Sequence, residues 1–200
     1  ELNVVNRIDR AVLMQTLVDM QYWHSEGLLV PRMSVNVSAQ RLMDPHLIHD
    51  LGILDVMPGQ FSFELLESIF LDAPDDQLAT NLAEIRKRGI DIEVDDFGTG
   101  HASIVGLLNL RPARLKIDRQ LVQPVDTSDQ HRLLVQSIIQ IARVQGIAVV
   151  AEGVETSAHI EVLQSLGCDY LQGYGLGRPT SEADFTAFLR MAQITGCYSA

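Results

Sequence analysis

The chain has 200 residues, of which 46% are apolar and 6% aromatic, with no low-complexity tract; that is enough material for one domain with a core and excludes a disordered segment. A formal charge of -11 excludes duplex nucleic acid or an anionic membrane as a bulk partner, while leaving room for one phosphate ligand at a site that carries cations. The longest unbroken apolar stretch, Ile147 to Ala151, is too short to span a bilayer and no signal peptide opens the sequence.

Val12, Leu13, Thr16, Leu17 and Met20 recur at helical spacing and predict a first helix ending near Gly27. RMSVNVS (32–38) and FSFELLE (61–67) read as strands. Leu78, Leu82 and Ile85 mark a helix closed by Lys87, Arg88 and Gly89, the basic-then-glycine chemistry that suits a helix C-terminus. IDIEVDD (90–96), ARLKID (113–118), IAVVAE (147–152) and CDYLQG (168–173) complete six strands, with helices predicted from about Asp129 to Gly146 and from Thr156 to Leu166. Ser181 with Asp184 resembles a capping box opening a final helix through Phe185, Phe188 and Leu189. Strands alternating with helices point to a parallel α/β sheet, and no linker divides the chain, so residues 1–200 are expected to form one domain. Cys168 and Cys197 form no CxxC pair and read as reduced thiols of a cytoplasmic protein.

Alternation separates a barrel from a doubly wound sheet. Met33, Val35 and Val37 oppose Ser34, Asn36 and Ser38. Ile90, Ile92 and Val94 oppose Asp91, Glu93 and Asp95, and Leu115 and Ile117 oppose Arg114, Lys116 and Asp118. One apolar and one polar face fit helices outside and a polar lumen inside, whereas strands covered on both faces run continuously apolar. The expected fold is a TIM-like (β/α)8 barrel with six βα units in this segment. The same parity predicts that Glu93 and Arg114 pair one layer beneath any site at the strand ends.

Each strand ends in a notable polar residue: Asn36, Glu64, Asp95 with Asp96, Lys116, Glu152 and Gln172. Barrels assemble active sites from these ends. A single carboxylate is more often a surface ion pair or a cap, but packing does not account for the whole set. Adjacent Asp95 and Asp96 repel, so they need a cation or a shared proton. Asn36, Glu64, Asp95, Asp96 and Glu152 offer only oxygen, which suits Mg²⁺ or Mn²⁺ over Zn²⁺. Two such ions about 3.5–4 Å apart, bridged by Asp95, would activate water for displacement at phosphorus. DDFGTG lacks the spacing and lysine of a P-loop, and GYGLGRP (173–179) has too little chain after it for a dinucleotide-binding unit.

SVNVSAQ, FELLES, DDFGTG, LKID, AEGVE and QGY stand in the order of the EAL domain family, bacterial phosphodiesterases of cyclic di-GMP, and through them nearly the whole chain resembles that family. The resemblance implies hydrolysis of cyclic di-GMP to linear pGpG with two ions, Mg²⁺ or Mn²⁺, held by Asn36, Glu64, Asp95, Asp96 and Glu152. It gives Lys116 the placing of the attacking water and Glu152 a share in deprotonating it. Gln172 would contact a guanine, with Asp118 as a further ligand contact. Glu67 would anchor the DDFGTG loop and Glu155 would orient its neighbours. It also implies a homodimer formed near that loop and GGDEF or sensor domains upstream, through which the protein could be membrane-anchored. Leu66 stands where the family often has threonine, and His101 and Ala102 replace tyrosine and serine. The signature E-A-L, whose glutamate is a metal ligand, is absent, and ELNVVNRID resembles the helix after it, so the first strands of the barrel are expected upstream. Three other readings compete: a receptor that binds cyclic di-GMP without cleaving it, an aldolase using Lys116 for a Schiff base, and a structural barrel with a solvated acidic mouth.

Overall fold

A helix of 24 residues, α1 (Leu2–Ser25), is followed by β1 (Met33–Asn36), α2 (Ala39–Leu42), α3 (Pro45–Leu51), β2 (Phe61–Leu66) and α4 (Asp76–Lys87). Then come β3 (Asp91–Phe97), α5 (Ile104–Leu110), β4 (Arg114–Ile117), α6 (Arg119–Val122) and α7 (Asp129–Val144). The chain closes with β5 (Ala148–Ala151), α8 (Ser157–Leu166), β6 (Tyr170–Leu171) and α9 (Glu182–Thr195). This computed structural model describes residues 2–30, 32–51, 58–67, 76–99 and 104–195, apart from the side chains of residues 2, 3, 45, 50, 76 and 104. The strands follow the chain in one sheet, β1 to β6, and β3 to β6 pair in parallel, as alternating strands and helices require. Among the described residues, no helix is long and apolar enough to cross a membrane.

The chain divides into two compact units. The first holds Glu1–Phe63, Gln77–Ile90 and Pro179–Ala200. In it, α1 buries Leu13, Leu17 and Trp23 on one stripe, as the helical spacing predicts. The Trp23 ring meets Phe185 edge-on at 5.3 Å, and its indole N–H donates to Thr186 Oγ1 at 2.6 Å. Thr186 passes the bond on to Glu182 Oε1 at 2.7 Å, so the buried donor of the tryptophan is satisfied and α9 is held to α1. Ser181 Oγ accepts from the Asp184 N–H and donates to its carboxylate, which is the N-terminal signal expected for α9.

The second unit holds Glu64–Asp76 and Asp91–Arg178. Ile92, Val94, Leu115, Ile117, Val149 and Ala151 fill its interior from three parallel strands, with α7 packed on β5 and α8. Ser128 and Thr156 cap α7 and α8 by accepting the N–H of His131 and His159, and Gly167 ends α8 at φ 82°.

Some strands are shorter than alternation alone predicts, because side chains at their ends take other work. Ser38 leaves β1 to cap α2, and Asp118 leaves β4 to cap α6, each accepting a backbone N–H. Only Tyr170 and Leu171 of CDYLQG pair as strand. The short helices α2, α3, α5 and α6 have too few turns to show a period and carry no signal in the sequence.

Candidate metal centre

Four strand ends of the second unit converge on one ammonium. Lys116 ends β4, is 4% exposed, and points its Nζ at Glu152 Oε1 (2.7 Å), Asp95 Oδ1 (2.9 Å) and Glu64 Oε2 (3.1 Å). These three carboxylates come from the ends of β2, β3 and β5. The three protons of an ammonium match three acceptors, and alternation explains why each residue faces the same side.

Alternation also predicts that Asp96 points the other way. It does not. The β3–β4 register runs Glu93 with Arg114 and Val94 with Leu115, then jumps to Phe97 with Ile117. Two residues, Asp95 and Asp96, therefore stand opposite Lys116 alone, which is a β-bulge. Asp96 makes the extra step with φ 54°, a left-handed conformation that aspartate tolerates better than most side chains. The bulge brings its carboxylate round, and oxygens of Asp95, Asp96 and Glu152 all lie within 4.8 Å of one another.

The cluster carries more negative charge than Lys116 can neutralise. Burial raises Glu64 and Glu152 above the usual carboxylate range, and Asp95 adds to this while Lys116 opposes it. Burial likewise raises Asp96, helped by the charges of Asp95 and Asp118. Burial alone would lower Lys116, but Glu64, Glu152 and Asp95 outweigh it and raise it. Lys116 is thus a fixed cation, which removes the Schiff-base reading, since that chemistry needs a neutral amine. Four carboxylates share the charge of Lys116, and oxygens of three of them converge within 4.8 Å, an arrangement that fits a hard divalent cation.

Around this centre, Glu67 (3% exposed) accepts the Gly98 N–H at 2.8 Å and ties the turn after β3 to the end of β2. Gly98 sits at φ 104°, and a Cβ there would collide with Leu121. Asp118 is buried, accepts the Gln120 N–H at 2.8 Å and lies against Asp96. Glu155 accepts from Gln123 Nε2 at 3.1 Å, and its own N–H donates to Nδ1 of buried His159. The Gln172 N–H donates to Ala151 O and its side chain is exposed. Asn36 ends β1 in the first unit, with an exposed side chain. One layer below, Arg114 Nη1 lies 3.8 Å from the Glu93 carboxylate, which is 2% exposed, as parity predicts. Cys168 is a free thiol that burial pushes up to about 11; Cys197, Gly100, His101 and Ala102 lie outside the described residues.

The bulge has a measurable cost. Asp96→Gly removes a left-handed side chain and one repelling charge, so the metal-free chain should gain about 1 kcal/mol in chemical unfolding. The same variant should lose most of the stabilisation that Mn²⁺ gives the parent. A variant that Mn²⁺ stabilises as much as the parent would remove Asp96 from the ligand set.

A family profile described as the EAL domain matches residues 1–179. Cyclic di-GMP phosphodiesterase RocR of Pseudomonas aeruginosa is 31% identical over 185 residues, covering 84% of this chain and 47% of RocR. The solved EAL domain of Mycobacterium smegmatis DcpA superposes with a TM-score of 0.84 at 27% identity, over 94% of this chain and 86% of that one. The manganese and cyclic di-GMP complex of Klebsiella pneumoniae BlrP1 does so with a TM-score of 0.77 at 27% identity, over 88% and 45%. The chain belongs to the EAL domain family and has its TIM-like α/β barrel fold. It spans about a quarter of the length of the first curated relatives it matches.

Proposed function

We propose that the chain is a metal-dependent phosphodiesterase domain that hydrolyses cyclic di-GMP to linear pGpG. One observation carries this reading: Lys116 is bracketed by Glu64, Asp95 and Glu152, with Asp96 turned into the same space by the bulge. The family supports it, because RocR is named a cyclic di-GMP phosphodiesterase and BlrP1 is solved with manganese and the dinucleotide.

Asp95, Asp96 and Glu152, with Glu64 and Asn36, would hold two Mg²⁺ or Mn²⁺ ions. Such ions supply positive charge at the phosphoryl oxygens and lower the pKa of a water. The chain's own groups do the rest. Lys116 keeps its protons on Glu64, Asp95 and Glu152 and would place the attacking water through its charge and the carboxylates it holds. Glu152, whose carboxyl burial raises above its ordinary value, is suited to take the proton of that water. The water oxygen bonds to phosphorus, the P–O3′ bond breaks and the departing 3′ oxygen takes a proton from solvent, leaving a 5′-phosphate and a 3′-hydroxyl. Glu67 keeps the turn at Gly98 in place, Glu155 holds the segment after Glu152, and Asp118 and Gln172 bear on the ligand side. The working protein is taken to be a cytoplasmic homodimer with GGDEF or sensor domains upstream.

Hydrolysis should be supported by Mg²⁺ or Mn²⁺ and not by Ca²⁺, which is larger and less exacting in geometry. Chromatographic measurement of pGpG, with and without chelator, checks this. Turnover that survives exhaustive chelation would sink the proposal, and metal-dependent binding without turnover would make the domain a receptor.

A further inference from the structure

We infer that buried His159 is a positioning residue for Glu152, holding the segment that carries this carboxylate against the one that follows α6; the role rests on the metal-dependent phosphodiesterase reading. His159 lies in the first turn of α8 and is 6% exposed. Its Nδ1 accepts the Glu155 N–H at 3.3 Å, and its Nε2 lies 3.6 Å from Asp126 Oδ1. A ring nitrogen that accepts carries no proton, so the proton sits on Nε2 and faces the Asp126 carboxylate.

Residues 152–155 leave β5 without regular structure, so each N–H must find its own partner. The Glu152 N–H donates to Ile117 O at 3.1 Å and the Val154 N–H to Gln172 O at 3.0 Å, backbone carbonyls at or just past the ends of β4 and β6. The Glu155 N–H goes to the imidazole instead. Gln123 Nε2 donates to the Glu155 carboxylate at 3.1 Å, so backbone and side chain of Glu155 are both held. Gly153 sits at φ 68°, and a Cβ there would collide with the Arg119 side chain, so the segment lies directly on α6.

The helix cap does not need the ring. Thr156 Oγ1 already accepts the His159 backbone N–H at 3.1 Å. What the imidazole adds is a tie between two segments that both lead away from the centre. One begins at Glu152. The other begins at Asp118, which lies against Asp96 and caps α6, and runs through Gln123 to Asp126. Arg132 of α7 secures its far end, donating to Val125 O and Asp126 O, each at 3.3 Å. A buried partner that fixes the orientation of a metal ligand commonly governs affinity for the ion.

The test is Mn²⁺ alone, titrated by calorimetry into the intact protein and into two variants matched in size. His159→Met has no oxygen or nitrogen to hold the N–H and should raise the midpoint of Mn²⁺ binding by about tenfold to a hundredfold. His159→Gln, whose side-chain oxygen can accept the N–H, should stay within about threefold of the parent. Parent-like binding by His159→Met, or an equal loss in both variants, overturns the inference, since the ring then packs without positioning Glu152. If His159→Met does not fold without metal, Asp126→Ala decides, because it spares the imidazole and removes its outer partner. That variant should bind Mn²⁺ several-fold more weakly with a metal-free melting temperature close to the parent's, and an unchanged affinity overturns the inference. A parent that binds no Mn²⁺ overturns the metal-dependent reading itself, and the role of His159 with it.

Discussion

Asp95→Asn should lower metal-dependent hydrolysis of cyclic di-GMP by at least about a hundredfold while leaving the metal-free fold intact. The amide keeps the size and one oxygen of the carboxylate but removes a negative charge from the cluster, beside Lys116 and close to Asp96 and Glu152. Without metal, fewer carboxylates then crowd one ammonium, so the variant should melt no lower than the parent. Mn²⁺ should raise the melting temperature of the parent and scarcely move that of the variant. Parent-level turnover by Asp95→Asn would end the two-ion account; a collapse of the metal-free fold would show that Asp95 is needed for structure first.

Lys116→Met should be the most destabilising change at the site. It leaves Glu64, Asp95 and Glu152 buried without their cation, and breaking a buried charge set from one side costs about 3–5 kcal/mol. The pH dependence has a definite sign. Glu64 and Glu152 are already raised in the folded chain, and losing the ammonium raises them further. Carboxyls that hold protons more tightly folded than unfolded favour the fold fully below their unfolded values and lose that contribution as pH climbs through the folded ones. The deficit of Lys116→Met against the parent should therefore be largest near pH 8 and shrink toward pH 5. Unfolding curves across that window decide the matter, and a deficit independent of pH would mean that lost packing, not charge, is responsible.

Much of this centre is legible in the sequence because a strand has a period of two. Counting back from Lys116 or Asp95 places Arg114 and Glu93 in the layer below, and they are found 3.8 Å apart. Glu64 and Glu152 follow from the same count on their own strands. What alternation hides is Asp96. Adjacent strand residues point to opposite faces, so the doubled aspartate hints at a bulge without saying which strand bends. Asp118 is hidden differently, since the residue that ends LKID is read equally well as a ligand or as the cap of a helix too short to show itself.

The bulge also bears on how this site tolerates change over evolutionary time. An irregularity that adds one residue to one strand is a frame, in the sense that reading frames are: substitutions on either side leave it alone, whereas a single deletion cancels it. Removing one residue between Val94 and Phe97 would restore unbroken pairing with β4 and send one carboxylate to the far face. Insertions and deletions in the surrounding loops are cheap by comparison. Drift in this domain should therefore accumulate as changes of loop length around a strand whose residue count cannot vary.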